Sequence, residues 1–212
     1  MRFGPEGAEG DPNRMQQWLV PSPEPDIAAH ALLFRPSGEG PFPLALIAHA
    51  STQNVLRRAQ MPQPEYRAMA AWLVARGFAV LVPERLGHGA TGGKYLEDQG
   101  GCDEADYSRA GRATAASIES ALSYLRGQSF VRQDGAVIVG HSAGGWGALA
   151  PAFSRQLADA YRTGGDKVDL HVLPAAGSEG HWLAETEAGV KIAGPVLERA
   201  RMLLHPTVVK KR

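Results

Sequence analysis

Gly135-Ala136-Val137-Ile138-Val139-Gly140-His141-Ser142-Ala143-Gly144-Gly145-Trp146-Gly147-Ala148-Leu149-Ala150 is the stretch that decides the fold. Its first five residues form a short apolar, β-branched run, the pattern of a buried strand. From Ala143 onward the chain can start a helix packed tightly on that strand. Strand, G-x-S-x-G and helix together spell a nucleophile elbow, in which a sharp turn holds the central serine in a strained backbone region. Gly140 and Gly144 remove the Cβ atoms that would collide as strand and helix close up. The Ser142 hydroxyl is then expected to stand out at the top of a sheet, within reach of a base. A G-x-S-x-G pentapeptide by itself is equally a glycine-rich turn with a surface serine, so the flanking pattern carries the reading.

Outward from the elbow, strands alternate with helices. Residues 17–20 and 28–34 are candidate strands, with Pro21, Pro23 and Pro25 between them. The run 43–49 is continuously apolar, as a strand buried on both faces should be. Residues 65–76 place Tyr66, Met69, Ala70, Leu73 and Val74 on one helical face, and Gly77 stops the helix. Residues 78–82 form the next buried strand, and the glycine-rich loop 87–101 reaches over the strand ends. A long helix is predicted over 106–126, ended by Gly127. Further helices are predicted over 151–162 and from about 195 to 204, with a strand over 168–173 and a loop over 177–181. This alternation predicts an α/β fold: a mostly parallel sheet with helices on both faces. Residues 1–14, rich in Gly, Pro and Glu, are expected to be a disordered tail, and 15–212 one domain.

Composition narrows the function. The 212 residues suffice for one sizeable core, with 44% hydrophobic and 21% charged residues. Lys plus Arg number 22, and so do Asp plus Glu, which leaves no basic footprint for nucleic acid. No apolar run is long enough for a membrane span. The chain carries no signal-peptide core, so a cytoplasmic location is expected, although a processed periplasmic form would read the same. Cys102 is the single cysteine, so no internal disulfide is expected, and its neighbours Asp103 and Glu104 would not activate a thiol.

In such sheets, ligands bind beyond the carboxyl ends of the strands. Three segments arrive there: Ser142, the loop His49-Ala50-Ser51-Thr52, and the loop Gly177-Ser178-Glu179-Gly180-His181. A free serine hydroxyl is a poor nucleophile at neutral pH and needs a base. His181 is the candidate, downstream of the serine in a glycine-flanked loop. Attack on a carbonyl would place negative charge on its oxygen, which preorganised N–H groups must meet. Ala143 supplies one such donor, and Ala50 or Ser51 the second. His49 and His88 are expected to shape turns, and His141 to point away from the nucleophile. Tyr95, Trp146 and Trp182 could line a pocket, with core packing an alternative use of Trp146. No histidine pairs with Cys or acid at a metal-ligand spacing, and no phosphate-binding glycine motif follows a strand. No metal and no cofactor are expected.

These segments resemble the α/β-hydrolase superfamily, and within it the dienelactone-hydrolase-like and prolyl-oligopeptidase-like bacterial serine hydrolases. The resemblance rests on 41–49, on 76–89 with its Pro83-Glu84-Arg85-Leu86-Gly87-His88-Gly89, on 140–145, and on 173–181. It implies an ester or related acyl bond in a small-molecule substrate, cleaved through a Ser142 acyl-enzyme with His181 as base. The chain departs from the family pattern in one place. Two more strands usually stand between the elbow helix and the histidine strand, and the second ends in the catalytic aspartate. Here no Asp or Glu lies between Ser142 and Asp159. Glu84, Asp159, Asp166, Asp169 and Glu179 are poor substitutes by position. The alternative reading is therefore a catalytically impaired α/β-hydrolase homologue with a binding or vestigial role. A shortened sheet with a new edge could pair with a second chain, but the oligomeric state is not fixed by the sequence.

Overall fold

Apolar residues alternate between two faces of one sheet, and that alternation builds two cores. In the computed structural model, which describes residues 2–148 and 185–204, six strands are laid down in chain order. They are β1 (Gly4–Gly10), β2 (Met15–Pro21), β3 (Ala28–Phe34), β4 (Phe42–Ala48), β5 (Ala79–Pro83) and β6 (Val131–Gly140). The helices are α1 (Val55–Ala59), α2 (Arg67–Val74), α3 (Tyr107–Arg126), α4 (Ala143–Ala148) and α5 (Glu187–Leu204).

The strand order is β1-β2-β3-β5-β4-β6. The sheet is mixed. Parallel pairing runs through β5, β4 and β6, as strands separated by helices require. On the other side, β1, β2 and β3 pair antiparallel, and β3 joins β5 antiparallel. The period of two along each strand sends Phe34, Ala45, Ile47, Val80 and Val82 to one face. There they meet Met69, Leu73 and Val74 of α2, and Val190 and Ala193 of α5. Leu33, Leu44, Leu46 and Leu81 point the other way, onto Ile118, Ala121, Leu122 and Leu125 of α3. Helices thus cover both faces. β5 is buried along its whole length, the environment its unbroken apolar run predicts.

Two expectations are corrected. The predicted disordered tail contains β1, whose Gly4, Pro5, Glu6 and Gly10 pair with Leu19, Trp18, Gln17 and Met15. Almost none of its side chains is buried, so composition cannot reveal it. It is held by backbone pairing, by a Gln16 Nε2 to Gly7 carbonyl bond of 2.8 Å, and by Glu9 against Arg14 and Arg35. The last helix begins at Glu187 rather than near Pro195, which lies inside it. Its start is set by Thr186, whose hydroxyl accepts the Gly189 N–H at 3.1 Å. The predicted helix over 151–162, the strand over 168–173 and the loop with His181 lie outside the described residues, as do Asp159, Asp166, Asp169, Glu179 and Trp182.

Candidate active site

β4 and β6 run parallel and side by side, with Ala48 opposite Gly140. The 49–52 loop and the elbow therefore leave the sheet at the same end. Ser142 has φ 52°, the left-handed region that a non-glycine residue adopts only when its surroundings impose it. The imposing contacts are local. The His141 N–H donates to the Ala48 carbonyl at 2.9 Å, Gly144 to His141 at 2.9 Å and Gly145 to Ser142 at 2.8 Å. A Cβ at Gly140 would lie 2.5 Å from the Cα of Gly145, and one at Gly144 would overlap the Ala48 carbonyl. Both elbow glycines are thus required by geometry.

Ser142 and Ala143 form one wall of a cavity of about 190 Å³. Ser51, Thr52, Tyr95 and Glu97 also line it. A larger cavity of about 570 Å³ lies on the other side of the 49–52 loop, between that loop, the start of α2 and Glu185.

Of the two residues proposed for the second oxyanion donor, Ala50 is already engaged. Its N–H donates to the Tyr66 hydroxyl at 3.2 Å. Tyr66 is buried at the start of α2 with φ 47°, and its hydroxyl lies 2.7 Å from Nδ1 of His141. Having accepted from Ala50, that hydroxyl can donate to His141. Burial pushes the Tyr66 pKa upward and so keeps the proton on its oxygen. His141 does point away from the cavity holding Ser142, as expected, but it has this specific partner.

His49 shapes its turn. Its Nδ1 lies 2.6 Å from the Ala50 carbonyl, and its Nε2 accepts the Arg85 N–H at 2.9 Å. Burial, followed by the charge of Arg85, holds this imidazole well below its ordinary pKa. Glu84 also serves the loop, because its Oε2 accepts the Thr91 N–H at 2.8 Å. Burial raises the Glu84 pKa. Arg85 and Glu97 form a fully buried two-point pair, at 2.6 and 3.0 Å. Among the described residues, no group of three or more His, Cys, Asp or Glu is arranged to hold a metal ion. None of the described helices is long and apolar enough to cross a membrane.

Sequence reasoning missed three of these features: the Tyr66–Ala50–His141 contact, the Arg85–Glu97 pair, and a bond between Ser51 and His88. Each joins residues twelve or more apart in the chain, so no local spacing announces it.

A central parallel sheet flanked by helices, with a strained serine between strand and helix glycines, defines an α/β-hydrolase fold. The chain resembles the α/β-hydrolase superfamily in this fold and elbow. Residues 64–156 match the profile of the prolyl oligopeptidase family, a segment that runs from before α2 through the elbow. Among solved structures, a candidate hydrolase of Agrobacterium vitis S4 is similar at 18% identity and TM-score 0.41, over 75% of this chain and 48% of that one. A candidate acetyl xylan esterase of Bacteroides fragilis is similar at 17% identity and TM-score 0.47, over 70% and 44%. An epoxide hydrolase of Vigna radiata is similar at 15% identity and TM-score 0.42, over 77% and 42%. The chain thus spans less than half the length of these structures. No curated protein sequence matches it.

Proposed function

We propose that the chain is a serine hydrolase that cleaves an ester or related acyl bond in a small-molecule substrate. Ser142 attacks the carbonyl carbon, and His181 takes the hydroxyl proton and returns it to the leaving group. The Ala143 N–H receives the developing oxyanion together with a donor from the 49–52 loop. Ser51 is favoured over Ala50 for that second donor, because the Ala50 N–H is bonded to Tyr66. The observation that supports this reading most is the φ of 52° at Ser142, in an elbow whose flanking glycines leave no room for Cβ. Such strain costs about 1–3 kcal/mol and persists at sites where the geometry serves chemistry. The dienelactone-hydrolase resemblance supports an ester substrate, and the chemistry requires no cofactor.

The second reading, an impaired homologue, is favoured by the absence of any acid between Ser142 and Asp159. Loss of the orienting carboxylate in triad enzymes lowers turnover by about 10⁴. A fluorophosphonate probe separates the two. We expect the purified chain to be labelled, labelling to vanish in Ser142→Ala, and the rate to fall in His181→Ala. A folded wild-type chain that takes no label would overturn the hydrolase reading in favour of the second.

A further inference from the structure

We propose that Ser51 selects substrates, presenting its side-chain oxygen as a hydrogen-bond acceptor to a neutral donor, such as a hydroxyl, on a short acyl group. This rests on the hydrolase reading above and names the substrate class of the same site.

His88 is fully buried. Its Nδ1 lies 3.1 Å from two carbonyl oxygens, those of Arg85 and Leu86. Carbonyls only accept, so Nδ1 carries the proton and Nε2 keeps its lone pair. The Ser51 hydroxyl, 2.7 Å from Nε2, must therefore donate to it. Tyr95 lies 3.3 Å from the same Ser51 oxygen and itself receives the Gln53 Nε2 at 3.3 Å. Bonds then run one way, from Gln53 to Tyr95 to Ser51 to His88 to the main chain. The Arg58 guanidinium, 3.5 Å over the Tyr95 ring, fixes that ring in place. With its proton committed, Ser51 has only acceptor capacity left for a bound molecule.

Ser51 and Ser142 line the same small cavity. At about 190 Å³ it is below the roughly 300–1,000 Å³ of pockets for drug-sized ligands, which suits a short acyl group. Glu97 also lines it, but both its oxygens are bonded to Arg85. Among the described residues the wall thus offers no unpaired charge to draw a cation, and a neutral donor fits it better.

A Ser51–His88 pair also has the spacing of a nucleophile and its base. Burial pushes His88 down to about 4, however, and a general base works best near the operating pH. Orientation rather than activation is what His88 supplies.

The test measures kcat/KM for methyl glycolate, methyl methoxyacetate and methyl propionate by titrating released acid, with fluorophosphonate labelling of Ser142 run in parallel. The inference expects glycolate to exceed both other esters by tenfold or more. In Ser51→Ala, which keeps the backbone N–H, that advantage should fall below threefold, and His88→Gln should reduce it as well. Equal rates on the three esters in a chain that labels at Ser142 would overturn the inference and leave the hydrolase reading standing. An undiminished advantage in Ser51→Ala would overturn it too, as would probe labelling of Ser51 in Ser142→Ala. Neither labelling nor hydrolysis by the folded wild type would overturn both readings.

Discussion

A methyl group added at Gly144 would land on the Ala48 carbonyl and within 2.5 Å of the His49 carbonyl oxygen. Both are backbone atoms at the end of a buried strand, so neither can move aside as a flexible side chain could. At Gly145 the same methyl would meet only the Gly140 carbonyl oxygen, at 3.4 Å. Gly144→Ala should therefore lose about 1–3 kcal/mol or more. A domain of this size gives roughly 2–4 °C per kcal/mol, so a thermal melt resolves the loss. Gly145→Ala should melt close to wild type, and equal midpoints for the two variants would show that the elbow is not closed as tightly as the geometry requires. This is the part of the site that the sequence displays openly, because the steric demand falls on residues only two positions from Ser142. The Ser51–His88 bond joins residues 37 apart, and the Ala50–Tyr66 bond residues 16 apart. A loop histidine and a tyrosine just ahead of a helix give no sequence sign that they brace the loop facing the nucleophile.

Elements were legible wherever burial imposes a period. β3 spans residues 28–34 as the reading predicts, and β4, β5 and α3 fall within a residue or two of their expected limits, because their apolar residues point into two covered faces. β1 was illegible for the opposite reason, since a strand that buries almost nothing leaves no hydrophobic pattern. In α5, Pro195 misleads because proline favours first turns, whereas the actual start is set by the Thr186 cap nine residues earlier. The weight of the α2 face can be measured at Leu73, which is 1% exposed among residues of α2 and the sheet. Leu73→Ala should cost about 2–5 kcal/mol in urea unfolding, by lost transfer energy plus the cavity left behind. A cost below 1 kcal/mol would mean that α2 is not docked as the buried contacts imply.

Across the whole molecule, the site end of the sheet carries an unusual load of buried imidazole. His49 and His88 are both almost fully buried, their rings 4.8 Å apart, beside the Arg85 cation. Burial favours the neutral form of each, and His88 is held at about 4 against an ordinary 6.5. The unfolded chain therefore binds protons that the folded chain refuses. Between about pH 6.5 and 4, the histidine contribution to stability therefore rises with pH and is lost on acidification. For His88 alone the loss reaches about 2–3 kcal/mol by pH 4.5, at 1.36 kcal/mol for each pKa unit. His49 acts in the same direction. Glu84 acts in the opposite one, because burial favours its protonated form in the fold. A comparison of wild type with His88→Gln separates these contributions, since only the His88 part disappears. The unfolding free energy of wild type should drop more steeply from pH 7 to pH 4.5 than that of His88→Gln, whatever their difference at pH 7. Parallel pH profiles for the two chains would mean that His88 takes up its proton in the folded state at an ordinary pH. That would remove the lone pair holding Ser51 and, with it, the one-way chain of hydrogen bonds facing Ser142.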